Sequence, residues 1–167
     1  MTREQFIELI TVEQESLRRF LRGLCAGDGF MADDIAQEAL LKAYLSFEHF
    51  EGRSRFSTWL FKIAYNCFYD HLKHFSKSIE KKEDIEVAES IKAEGFDADG
   101  RFEHQQLYMA LRALNHQEQA VILLFYMEDK SIKEIEIITD MPSGTIRSHL
   151  SRGRRHLKEY LEKQSEI

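Results

Sequence analysis

Apolar residues recur at three- and four-residue spacing through most of this 167-residue chain, and runs of alternating β-branched residues are absent. The pattern predicts an all-α protein. It is clearest from Ser131 to Tyr160, SIKEIEIITDMPSGTIRSHLSRGRRHLKEY, which reads as two helices joined by a tight turn. Ile132, Ile135 and Ile138 share one face of the first helix, and Ser131 and Glu134 have the S-x-x-E spacing of a capping box. Asp140-Met141-Pro142 then breaks it, because proline cannot donate the next backbone hydrogen bond and restricts the residue before it. Ser143 or Thr145 can cap the second helix, whose buried stripe would be Ile146, Leu150, Leu157 and Leu161. Arg147, Ser148, Ser151, Arg152, Arg154 and Arg155 are left on its outer surface.

Two further helices are predicted upstream. Asp33-Asp34-Ile35-Ala36-Gln37-Glu38 opens one, with Asp34 and Gln37 placed like a capping box. Ile35, Ala39, Leu40, Ala43 and Phe47 form its apolar stripe, while Asp34, Gln37, Glu38, Leu41 and Leu45 form a mixed outer face. Such a face suits either a protein–protein contact or a capped surface helix with two stray leucines. A loop, Phe50 to Trp59, carries Arg53 and Arg55 between aromatic residues. The next helix runs from Ser57 to about Phe75 and buries Trp59, Leu60, Ile63, Ala64, Cys67, Phe68 and Leu72. On another of its faces Phe61, Tyr65 and Tyr69 recur at four-residue spacing beside Lys62, Asn66 and Lys73. That aromatic stripe is either core or a stacking platform for single-stranded nucleic acid.

Charge divides the chain in three. Residues 1–74 are helical and aromatic-rich, and 104–167 resume helical patterning. Residues 75–103 between them hold nine Asp or Glu against five Lys or Arg, a net of -4, and few large apolar residues. They read as an acidic linker joining two small domains, each marginal in size for independent stability. The whole chain carries -6, yet no acid falls between Pro142 and Lys158. One apolar stripe with one unopposed basic face is how a helix enters the DNA major groove. Residues near its start, Thr145, Arg147, Ser148 and His149 or Ser151, are placed for base edges, and the later arginines and Lys158 for phosphates. A solvated hairpin with a basic face is the plainer alternative. Because 1–74 and 104–167 are -2 and 0, free DNA affinity is expected to be weak at physiological salt.

Other functions find little support in the chain. No apolar run approaches the roughly 18 residues of a membrane span, and MTREQFIELI lacks a signal-peptide core. Cys25 and Cys67 are far apart and fit a reduced, cytoplasmic protein. His71 and His74 lie one turn apart beside Asp70, but that spacing alone makes a poor metal site. No glycine-rich phosphate loop, nucleophile motif or carboxylate pair points to an enzyme, and no cofactor or metal is expected. An operator-binding helix-turn-helix regulator would explain 131–160, but not the helix from Asp33 or the aromatic–cationic face.

Taken together, DDIAQEALLKAYLSFEHFEGRSRFSTWLFKIAYN and KEIEIITDMPSGTIRSHLSRGRR resemble domains two and four of bacterial RNA polymerase sigma factors of the extracytoplasmic-function group. The resemblance covers nearly the full length, with the acidic segment in place of a third domain. It implies a monomeric initiation factor that binds core polymerase (β′ clamp helices and β flap) and promoter DNA without inserting in a membrane. Asp33, Asp34, Gln37, Glu38 and Leu41 would face the clamp helices. Arg53, Arg55, Phe61, Lys62, Tyr65, Asn66, Tyr69 and Lys73 would recognise and open the −10 element, with Asn66 at a pocket for a flipped base. Thr145, Arg147, Ser148, Ser151, Arg152, Arg154 and Arg155 would read the −35 element. A separate anti-sigma protein is the implied regulator. The chain departs from the family pattern at Glu136, at Ala120, and at Gly153, whose place inside a helix costs about 1 kcal/mol relative to alanine.

Overall fold

The computed structural model describes residues 1–82 and 102–165, and no strand occurs among them. The first helix, α1 (Arg3–Leu24), begins at a complete capping box. Thr2 Oγ1 accepts from the Gln5 N–H at 3.2 Å and Gln5 Oε1 accepts from the Thr2 N–H at 2.9 Å. The helix ends where Ala26 and Gly27 take positive φ values of 52° and 90°. A side chain at Gly27 would also lie 2.9 Å from Tyr108 Cδ2, so glycine is required there twice over.

Helix α2 (Gly29–Ser46) follows, capped by Asp28, whose carboxylate accepts from the Met31 N–H at 3.1 Å. The start is therefore five to six residues earlier than the expected Asp33–Asp34 cap, because the turn at 26–28 reverses the chain and supplies its own aspartate. Ala32, Ala36, Ala39 and Ala43 are buried along one side of α2, and their small size brings it close to α1 and α3. A short turn, Phe47–His49, leads into the loop before α3 (Phe56–Lys82). Phe6, Phe47, Phe50, Phe56 and Trp59 pack ring against ring, with centroids 4.8–5.9 Å apart, and so anchor both ends of the Arg53–Arg55 loop.

The C-terminal group comprises α4 (Phe102–Arg112), α5 (His116–Ile122), a π turn (Leu123–Met127), α6 (Ile132–Thr139) and α7 (Ser143–Ser165). Asn115 caps α5 by accepting from the Glu118 N–H at 2.8 Å. Gln119 then donates to the carbonyls of Leu111 and Leu114 and ties α5 back to α4. Helix α6 closes on Asp140 in the left-handed conformation, at φ 58°. Gly153 is buried where α7 crosses α5: a methyl there would meet Ile122 Cγ1 at 2.9 Å. The glycine expected to weaken the helix is what lets the two helices touch.

Helix α3 is longer than the sequence pattern indicates. Residues 75–82 continue it, and Phe102 and Glu103 begin α4, so these positions of the expected 75–103 linker are helical. The remainder, 83–101, lies outside the described residues.

The two helical groups also pack on each other. Gly23 on α1 meets Leu123, and α3 packs along α6. Arg112 Nη2 donates to the Ala26 carbonyl at 3.1 Å, and the rings of Phe68 and His116 meet edge to face.

Candidate nucleic-acid interface

Helix α7 carries the basic stripe expected of it. Thr145, Arg147, Ser148, Ser151, Arg152, Arg154 and Arg155 are all exposed, while Ile146 and Leu150 are buried against the preceding helices. The stripe of core residues runs through His149 and Gly153 as well, and it fades at Leu157 and ends before Leu161, which is 53% exposed. His149 is therefore no base-edge residue. It is buried, and burial followed by the charge of Arg152 pulls its pKa below the ordinary 6.5. Its Nδ1 accepts from Arg152 Nη2 at 3.3 Å, which requires the neutral ring. Arg154 Nη1 donates to the Tyr126 hydroxyl at 2.7 Å. The π turn that carries Tyr126 thus steers one arginine of the stripe. Beneath α7, the carboxylate of Glu118, 3% exposed, is held by Asn115 at 3.2 Å and His156 at 2.9 Å.

Of the capping box expected at α6, Ser131 Oγ accepts from the Glu134 N–H at 3.1 Å. The Glu134 carboxylate points the other way, 3.9 Å from Arg55 across the interface between helical groups.

The face of α3 needs a correction. Of the two readings open for the Phe61–Tyr65–Tyr69 stripe, Phe61 and Tyr65 take the core one, with exposures of 0% and 7%, and do not lie on the −10 surface that the resemblance implies for them. The reason is that α3 has neighbours on several sides: α1 and α2, and on a further side α6. Phe61 packs on Phe20, and burial pushes the Tyr65 phenol well above its usual range. What reaches the surface is Asn66 and Lys73, both exposed, with Lys62 and Tyr69 partly buried, a file at four-, three- and four-residue spacing in which the Tyr69 hydroxyl is turned into the protein. The loop arginines, Arg53 and Arg55, are exposed. Arg53 pairs with Glu51 at 2.8 Å.

The outer face of α2 presents Asp33, Asp34, Gln37 and Leu41 to solvent, with Glu38 half-exposed. Asp33 accepts from Arg18 at 3.1 Å, and Glu38 is held by Lys42 and by His71, at 3.3 and 3.2 Å. Sequence reading missed how far the apolar part of this face extends. Phe30 (80% exposed), Leu41 (58%) and Leu45 (71%) lie on it with Tyr44. Counting back from Leu41 in steps of four, three and four through Gln37 and Asp34 reaches Phe30, which is the signal that could have found it. Exposed apolar side chains interleaved with carboxylates make this face a candidate for a protein contact.

Among the described residues, no cluster of His, Cys, Asp and Glu is arranged to hold a metal, and no helix is long and apolar enough to cross a membrane.

Comparison with known proteins gives the family. Residues 9–77 match the family described as Sigma-70 region 2, and residues 104–157 match Sigma-70, region 4. The chain is 27% identical over 168 residues to the ECF RNA polymerase sigma factor SigW of Bacillus subtilis (strain 168), spanning 95% of this chain and 89% of that protein. It is 29% identical over 135 residues to the ECF RNA polymerase sigma-E factor of Escherichia coli (strain K12), spanning 72% and 69%. Two solved structures share the fold. One is the sigma factor RpoE in complex with the anti-sigma factor NepR from Bartonella quintana, with TM-score 0.81 and 24% identity over 95% of this chain and 98% of that one. The other is CnrH in complex with the cytosolic domain of CnrY, with TM-score 0.73 and 18% identity over 97% and 90%. The chain belongs to the sigma-70 family, as an RNA polymerase sigma factor of the extracytoplasmic-function group that acts in transcription initiation.

Proposed function

We propose that this chain, bound to core polymerase, grips a promoter at two points and starts strand opening. Residues 104–167 act as the −35 reader. Thr145, Arg147, Ser148 and Ser151 face base edges, and Arg152, Arg154 and Arg155 face phosphates. Residues 1–74 act at the −10 element. Arg53, Arg55, Lys62 and Lys73 attract the backbone, and Asn66 offers an amide to the edge of an extruded base. Tyr69 stands beside it as the partly buried aromatic of the file; Phe61 and Tyr65 support that surface from beneath. Extruding a base costs a few kcal/mol of stacking, which these contacts must offset. The α2 face, Asp33, Asp34, Gln37, Glu38 and Leu41, docks on the β′ clamp helices, and residues 104–167 contact the β flap.

The observation that carries this reading is the basic stripe of α7, with four exposed arginines and no acid between Pro142 and Lys158 in a chain of net charge -6. The factor performs no covalent chemistry and works in the cytoplasm, where polymerase is. Its regulator is a separate anti-sigma chain, as the fold shared with a sigma factor solved in complex with an anti-sigma factor supports. Core polymerase mixed with this protein is expected to form a stable complex and give specific run-off transcripts. Failure to form a complex at moderate salt refutes the proposal.

A further inference from the structure

A cavity of about 360 Å³ lies where the end of α1 and a face of α3 meet the turn between α4 and α5. Leu24, Phe68 and Leu114 form a buried apolar wall, with Cys25 beside them and Leu72 partly exposed. The size falls within the range of about 300–1,000 Å³ that small-molecule sites occupy. Burial pushes the Cys25 thiol far above its ordinary range, so it stays protonated and adds no charge to the wall.

One polar side chain interrupts that wall. Gln119 lines the cavity and is 4% exposed. Its Nε2 donates to the Leu111 carbonyl at 2.6 Å and to the Leu114 carbonyl at 3.2 Å. Both amide hydrogens are thereby used, and the orientation of the group is fixed, since exchanging oxygen and nitrogen would set the oxygen against two carbonyl oxygens. Oε1 is left buried with no hydrogen-bond partner among the described residues. A buried acceptor without a donor is costly, so the group that completes this site is a donor. Asp28 and Arg112 also border the cavity, and both are engaged by backbone. Asp28 accepts from the Met31 N–H at 3.1 Å, and Arg112 donates to the Ala26 carbonyl at 3.1 Å. Apolar walls, one unmet acceptor and charges committed to backbone are the complement of an uncharged ligand.

We propose that this cavity binds a small, uncharged, largely aromatic molecule bearing one N–H or O–H donor, with the donor directed at Gln119 Oε1 and the ring packed on Phe68 and Leu114. Phe68 supplies a ring partner, and the sulfurs of Cys25 and Met31 in the same lining favour an aromatic body over an aliphatic one. Binding here needs neither polymerase nor DNA and does not depend on the promoter reading given above.

Indole is the probe, and N-methylindole, which has the same rings but no N–H, is its control. Titration of the full chain, followed by NMR of the backbone and side-chain amides, is expected to show saturable binding of indole. Its affinity should exceed that of N-methylindole by about tenfold, the effect of one buried hydrogen bond. Shifts should centre on the Gln119 side-chain amide and on the backbone of Phe68 and Leu114. Leu72→Trp, at a partly exposed lining position, should fill part of the cavity and weaken indole binding by about tenfold or more. The comparison of the two indoles needs no altered chain, so it decides the matter if that variant folds poorly. No saturation with indole, equal affinity for the two indoles, or shifts confined to other surfaces each overturns the proposal. So does a folded Leu72→Trp chain that binds indole as the native chain does.

Discussion

Arg19 and Glu128 lie 109 residues apart in the chain and meet through two parallel N–H···O bonds. The two ends of the pair differ in setting: the Arg19 side chain is 44% exposed and that of Glu128 only 3%. The carboxylate's hydrogen bond, more than its charge, raises the hold of Arg19 on its proton. Removing the arginine strands a nearly buried carboxylate, whereas neutralising the glutamate leaves an arginine that water can reach. Arg19→Ala is therefore expected to destabilise the chain by about 1–2 kcal/mol in urea unfolding, and Glu128→Gln by less than half of that. Equal losses would show that the asymmetry of burial has no energetic effect.

Two glycines of α7 separate propensity from packing. At Gly153 a methyl would collide with Ile122 Cγ1 at 2.9 Å, while at Gly144 nothing lies within 4 Å. Gly144→Ala should raise stability by about 0.5–1 kcal/mol, the ordinary helix preference. Gly153→Ala should lower it by about 1 kcal/mol, because overpacking exceeds that gain. Adding Ile122→Ala to Gly153→Ala should recover part of the loss. Thermal unfolding of the variants measures all three.

His149 supplies a pH dependence. Its pKa is lowered in the folded chain, mainly by burial, so the unfolded chain binds the proton more readily. Its contribution to stability is therefore intact above the ordinary value of 6.5 and is lost as pH falls below it. NMR titration of the His149 ring should give a midpoint below 6.5. His149→Gln should flatten the decline of melting temperature between pH 7 and pH 5.5. A midpoint at or above 6.5 contradicts the buried neutral ring.

On the promoter reading proposed above, the arginines of α7 divide by role. In the complex with core polymerase, Arg155→Ala should weaken binding to all −35 sequences alike and reduce the log–log salt slope by about 1. Arg147→Ala should cost about 1–3 kcal/mol on the preferred element and relax the choice of base. Tyr126→Phe should behave as a mild form of Arg154→Ala, since it frees that guanidinium from its 2.7 Å bond. Competition binding with duplexes altered one base pair at a time distinguishes these outcomes.

The α2 face can be altered without touching the core. Leu41→Ala with Leu45→Ala is expected to weaken core polymerase binding at least tenfold while the melting temperature changes by no more than about 2 °C, because both side chains are exposed. Pull-down with purified core polymerase, alongside a thermal melt, measures the two effects.

Much of this was legible before any coordinates. Periodicity gave the helices from Asp33, from Ser57 and within 131–160, and the break at Asp140–Pro142, since these follow from local spacing and from what proline cannot do, but it did not delimit α1, α4 or α5. The basic face of α7 needed only the absence of acids over one stretch of sequence. The start of α2 was misplaced because Asp28 and Asp33 are both good helix-start residues, and the turn at Ala26–Gly27 decides between them. The aromatic face of α3 was misjudged for a related reason. A hydrophobic pattern shows that a side chain is apolar; it does not count the neighbours its helix will have.

The sequence by itself determined the all-helical class, the helix pair around Asp140–Pro142, the family and the sign of the charge on the α7 face, because those depend on residues near one another in the chain. Only the tertiary structure decided that Phe61 lies beneath Lys130, that Gly153 is an approach point for Ile122, and that Lys62 is held by Asp140. Each of these joins residues dozens of positions apart or places one element against several. Burial and long-range pairing are properties of the whole packed arrangement, and no local period encodes them.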